Sequence, residues 1–135
     1  MTPRAARVFG GTHALTGLLV ACGVFRCLPV RWLPVDVAAG ALVVLETAAA
    51  AGLLGGAAWG KAVARATSFA ALGAGLSLVT VLAVTASWLA GVYGPVGAGG
   101  ATLLVLVAAL ALPYLVVLPC VEIIWLGGRE AAGRR

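Results

Sequence analysis

Four uninterrupted apolar runs, at about 8–28, 37–59, 66–90 and 101–126, constrain this chain more than any other feature of it. A helix needs about 20 mostly apolar residues to cross a hydrocarbon core, and only helices or closed barrels satisfy their backbone groups there. Barrel strands alternate in polarity over about ten residues, whereas these runs are continuously apolar. The expectation is an all-α membrane protein, one domain over 1–135. Its connections are short: 26–34 holds Pro29, Trp32 and Pro34, 60–65 holds Lys61 and Arg65, and 91–100 is rich in glycine. Loops this tight force sequential neighbours antiparallel, which predicts four transmembrane helices in an up-down antiparallel bundle.

Composition closes off the alternatives. The chain is 63% hydrophobic and 10% charged with a mean hydropathy of +1.14, against about 45–50% and about 25% in an ordinary soluble domain. A soluble domain, a disordered tail and a disulfide-built module are all excluded, the last because there are only 3 cysteines, and these show no metal-ligand spacing that would make a zinc site either. The net charge of +5 does not signal nucleic-acid binding. Its basic residues sit at the ends of apolar runs, with no stripe interleaved with aromatics.

Those charges orient the chain. Arg4, Arg7, Lys61, Arg65, Arg129, Arg134 and Arg135 fall on one side and only Arg26 and Arg31 on the other, so both termini are expected in the cytoplasm. Trp32, Trp88 and Tyr93 would lie at the outer interface, with Trp59 and Trp125 at the inner one. One lysine against many arginines, no Asn or Gln, and abundant Ala, Gly and Val suggest a GC-rich bacterial genome and hence a bacterial inner membrane. Leu19-Val20-Ala21-Cys22 also resembles a lipoprotein cleavage box, which would lipidate Cys22 and leave three spans. The apolar run continues through Gly23-Val24-Phe25, which favours an uncleaved span.

Glu46 is the most informative side chain. It lies about ten residues into the second run, hence about 15 Å from either surface. An ionised carboxylate there costs at least about 2.5–3.5 kcal/mol, so such residues face a bundle interior or an aqueous path. It is either a proton- or cation-binding group or a neutral acid gluing neighbouring helices, and the two readings stay open. His13, Thr16, Ser77, Thr80 and Tyr114 fall at similar depth on the other runs, and with Glu46 they form a candidate intramembrane polar layer. Each hydroxyl alone is better explained by a bond to its own helix, and it is their coincidence in depth that points to a layer.

Three further features bear on packing. Ala48, Gly52, Gly56 and Gly60 recur every four residues, a small-residue ridge that suits close helix contact. Pro113 and Pro119 each remove a backbone bond, to the carbonyls of Ala109 and Leu115, and predict a kinked fourth helix. Glu122, about a turn from the end of its run, is expected in a solvated ion pair with Lys61, Arg65 or Arg129.

No phosphate loop, metal set or nucleophile–base pair is present in the sequence, so neither an enzyme nor a cofactor is expected. Size, span number and one intramembrane acid resemble the small multidrug resistance transporters. In that family the essential acid lies in the first helix, and here the first run offers only His13 and Thr16, so membership is not assigned. The expected role is a non-enzymatic accessory, scaffold or assembly subunit. Its partners would be membrane lipids and a second copy or a larger membrane protein. The alternative is a small proton- or cation-coupled transporter or channel subunit using Glu46.

Overall fold

The computed structural model describes residues 2–27 and 31–132, with side chains up to 127. The described residues form helices with no strand. Helix α1 spans Pro3–Cys22 and continues as a wider π-helical turn, Gly23–Cys27. Helix α2 is Leu33–Leu54 and α3 is Gly60–Leu112. A second π-helical turn, Pro113–Val117, leads into α4, Leu118–Ala132. Pro29 and the basic side chains of Arg129, Arg134 and Arg135, used in the sequence argument, lie outside the described residues.

Local chemistry explains the starts and stops. Thr2 caps α1 by accepting a hydrogen bond from the Ala5 amide at 3.3 Å, and Pro3 begins the helix, where its missing N–H costs nothing. Pro34 plays the same part in α2, with Asp36 in the favourable first turn. Arg31 reaches Asp36 at 3.3 Å and donates to the Phe25 carbonyl at 2.8 Å, tying the end of the first helical stretch to the start of the second.

Three helical stretches, Pro3–Cys27, Leu33–Leu54 and Gly60–Gly127, are long and apolar enough to cross a membrane, where four were expected. The difference lies at 91–100, expected as a glycine-rich loop. It is helical except at Gly94, which adopts φ 54 and ψ −133. Helical backbone resumes immediately after Gly94, so the break is confined to one residue. Glycine alone tolerates that conformation, and Pro95 beside it cannot donate back into the preceding turn.

The chain reverses at this point. Gly97 lies directly against Leu89 and Tyr93, and farther along the same hairpin a Cβ on Gly75 would fall 2.5 Å from the Leu115 carbonyl oxygen. That carbonyl is the one Pro119 leaves without its helical partner. Where a kinked fourth helix was expected, the chain has a π-helical turn from Pro113, in which the Leu118 amide bonds to the Pro113 carbonyl, and Pro119 follows in α4.

Two compact units make up the fold: 1–70 with 121–135, and 71–120. Within the first, α1 and α2 run antiparallel in contact, with Gly10 beside Ala50 and Leu54 and Gly17 beside Val43 and Glu46. The second run ends at Leu54, short of the expected 59, because Gly55 and Gly56 terminate it, the latter at φ 68. The proposed ridge therefore does not run along one helix. Gly52 is in α2, Gly56 in the turn and Gly60 at the head of α3, and a Cβ on Gly60 would sit 2.5 Å from the Gly52 oxygen. These small residues make a tight α2–α3 turn within the chain. Ala49, Leu53 and Ala64, with Phe9 and Val63 against them, form the core of this unit.

Candidate functional site

The buried face of α1 contains no large apolar residue: Gly10, His13, Thr16 and Gly17 share it at helical spacing. Its large apolar side chains, Val8, Leu15, Leu18 and Leu19, are exposed instead. Small residues on an inner face let backbones approach and leave room for polar groups between them. Gly17 shows the effect, since a Cβ there would lie 3.1 Å from the Glu46 Cβ. The inner face of α2 reads Ala39, Leu42, Glu46, Ala49 and Leu53, a three-and-four spacing that delivers the carboxylate inward.

His13 bridges two carboxylates. Its Nδ1 is 2.5 Å from Glu46 Oε2 and its Nε2 is 3.0 Å from Glu122 Oε1. The three residues retain only 4%, 2% and 4% of their surface, in the order His13, Glu46, Glu122. Ser68, at the start of α3, adds a hydroxyl 2.9 Å from Glu122 Oε2 and equally 2.9 Å from the Ala64 carbonyl oxygen. One turn-face away, Thr67 donates to the Leu45 carbonyl at 3.3 Å. α1, α2, α3 and α4 thus each contribute to one buried chain, Glu46–His13–Glu122–Ser68. The Phe9 and Trp125 rings, 4.9 Å apart, cover it one turn nearer the N-terminal end of α1.

Proton bookkeeping defines the electrostatics. Each N···O contact needs one hydrogen, so two protons are shared among one imidazole and two carboxyls. The formal charge is −1 in every such arrangement: an imidazolium between two carboxylates, or a neutral imidazole with one carboxyl protonated. Charge-assisted hydrogen bonds of this kind are about twice as strong as neutral ones, and the buried chain relies on them. Both ring nitrogens are directed at carboxylates, and among the described residues no three His, Cys, Asp or Glu side chains surround a common metal position.

The remaining predicted residues are placed as follows. Thr16 is buried one turn beyond His13. Ser77 and Thr80 are exposed and Tyr114 is half-buried, and all three belong to the unit 71–120. Thr47, next to Glu46, is exposed and donates to the Val43 carbonyl of its own helix at 2.7 Å. Pro113 is exposed and Pro119 buried. Of the polar layer, therefore, the structure joins Glu46 to His13 by a hydrogen bond.

Glu122 departs from the solvated ion pair expected of it, being buried against His13 and Ser68. Trp125, on the next turn, packs on Phe9. Sequence reasoning missed Glu122 and Ser68 as members of the site. The available signal was a second acid inside the last apolar run, but short loops specify only sequential neighbours and say nothing of α1 beside α4. A half-open groove of 430 Å³ lies among Pro3, Arg7, Gly52 and Lys61, and its lining includes none of the bridged residues. No protein-family model, curated protein or solved structure matches this chain.

Proposed function

We propose that this protein is a small, non-enzymatic, multi-pass membrane protein that binds and moves a proton or cation at the Glu46–His13–Glu122 chain. The supporting observation is the bridge itself, two carboxylates joined by one imidazole and withdrawn from the surface of an otherwise apolar helical unit. Ionisable groups at such depth are expensive, and their ordinary use is in proton relays and ion paths. The third helical stretch supports a four-pass bundle: straight, its 68 residues would extend about 100 Å, over three times a core of about 30 Å. The reversal at Gly94 divides it into two passes. In this reading both termini face the cytoplasm of a bacterial cell and the bundle sits in its inner membrane.

The test is flux in liposomes carrying a pH-sensitive dye. Glu46→Gln is expected to abolish coupled flux while the protein stays inserted and helical by circular dichroism. Undiminished flux in Glu46→Gln, or a wild-type protein that moves no ion under any applied gradient, rejects the reading.

A second reading, an accessory or assembly subunit bound to another membrane protein or to its own copy, draws support from the way the same hydrogen bonds tie several helices together. Under it Glu46→Gln is tolerated, and crosslinking in native membranes captures a defined partner.

A further inference from the structure

Resting on the ion-handling reading above, we infer that the ion is a proton. It passes between Glu46 and Glu122 through His13, and Ser68 is the positioning residue that accommodates both charge states of Glu122.

The step balances within the three groups. A proton leaves Glu46 Oε2 for His13 Nδ1 as the hydrogen on Nε2 leaves for Glu122 Oε1. One O–H and one N–H bond break, one of each forms, and the imidazole emerges as its other tautomer. The 2.5 Å and 3.0 Å contacts already stand at hydrogen-bond distance, so no heavy atom has to travel. Reversal of the same two transfers, or a turn of the ring, resets the chain.

Ser68 gives the far carboxyl two stable states. Its single hydroxyl hydrogen has two acceptors at the same 2.9 Å, Glu122 Oε2 and the Ala64 carbonyl. With Glu122 ionised, the hydroxyl donates to Oε2. With a proton on Oε2, that carboxyl donates to the Ser68 oxygen and the serine hydrogen turns to Ala64. A third proton, which makes the cluster neutral, is thereby received without leaving any group unsatisfied.

The same geometry disfavours an oxygen-ligated cation, which needs several oxygens converging on one point. Here the oxygens are held apart by the imidazole, and one hydrogen occupies each N···O gap. Among the described residues, the titratable groups facing the chain are His13 from α1, Glu46 from α2 and Glu122 from α4. The α3 segment brings Ser68, with the half-buried Arg65 three residues before it.

Infrared difference spectroscopy on the full chain reconstituted in lipid vesicles tests this directly, with a pH step at constant salt and a Na⁺ or K⁺ step at constant pH. The pH step is expected to raise a protonated-carboxyl C=O band that is lost in Glu122→Gln. Ser68→Ala should move the band to a different frequency and Ser68→Thr restore it, an effect that mere helix packing would not produce. The Na⁺ or K⁺ step should leave the carboxyl region unchanged. A carboxyl response to Na⁺ or K⁺, or a pH-driven band indifferent to Ser68→Ala, overturns the inference while leaving an ion-coupled role standing. The expected bands in vesicles that pass no ion uphold the proton site and reject transport.

Discussion

His13 sits between two acids, so its removal is not a simple loss of one contact. His13→Leu leaves two carboxyls facing an apolar side chain, and breaking a buried charged arrangement by deleting one partner costs about 3–5 kcal/mol. Glu122→Leu removes one contact and also leaves Ser68 with Ala64 as its remaining acceptor. Because the two changes act on one network, the double variant should lose less than the sum of the singles, by about 0.5–3 kcal/mol. Reversible unfolding in detergent measures all three, and strict additivity would show that the residues do not act together. At this scale the sequence made Glu46 legible, since an acid in the middle of a long apolar run is expected to turn inward. It did not make Ser68 legible, because a serine bonded to its own helix and a serine bonded to a distant acid look the same until the helices are placed.

Glycine decides how the helical elements meet, and its effect depends on what lies opposite. Gly60 faces the Gly52 carbonyl so closely that Gly60→Ala forces the α2–α3 turn apart, at a cost of about 1–3 kcal/mol. Gly73, also in α3, has open space where a Cβ would stand, with no neighbouring atom within 4 Å. There alanine should instead stabilise the helix by about 0.5–1 kcal/mol. Thermal unfolding of the two variants side by side is the check, and equal destabilisation would refute the packing described for the turn. The four-residue glycine interval was visible in the sequence, but its meaning was not: the same spacing serves a long ridge or, as here, two helix ends meeting across a turn. Gly94 is similar. Several glycines between 91 and 100 favoured a loop, but Gly94 by itself reaches the backbone conformation the reversal needs, so helix continues on both sides of it.

For the whole molecule, the proposed orientation predicts that Cys27, exposed at the end of the first helical stretch, is labelled by a membrane-impermeant maleimide added outside intact cells. A background of Cys22→Ser and Cys120→Ser isolates the signal, and labelling only after permeabilisation would reverse the topology. Sequence by itself determined that the chain is helical and apolar enough to cross a membrane, because length and continuous hydrophobicity act locally and need no partner. It also led to the expectation that Glu46 turns away from apolar surroundings, because leaving a carboxylate against apolar groups is costly in any packing. Only the tertiary structure decided that His13 joins Glu46 to Glu122, that Ser68 completes the chain and that the last long stretch folds back at a single glycine. Those outcomes depend on which helices lie side by side, and contacts between residues as distant as 13 and 122 are set by the packing of whole helices, which no local pattern encodes.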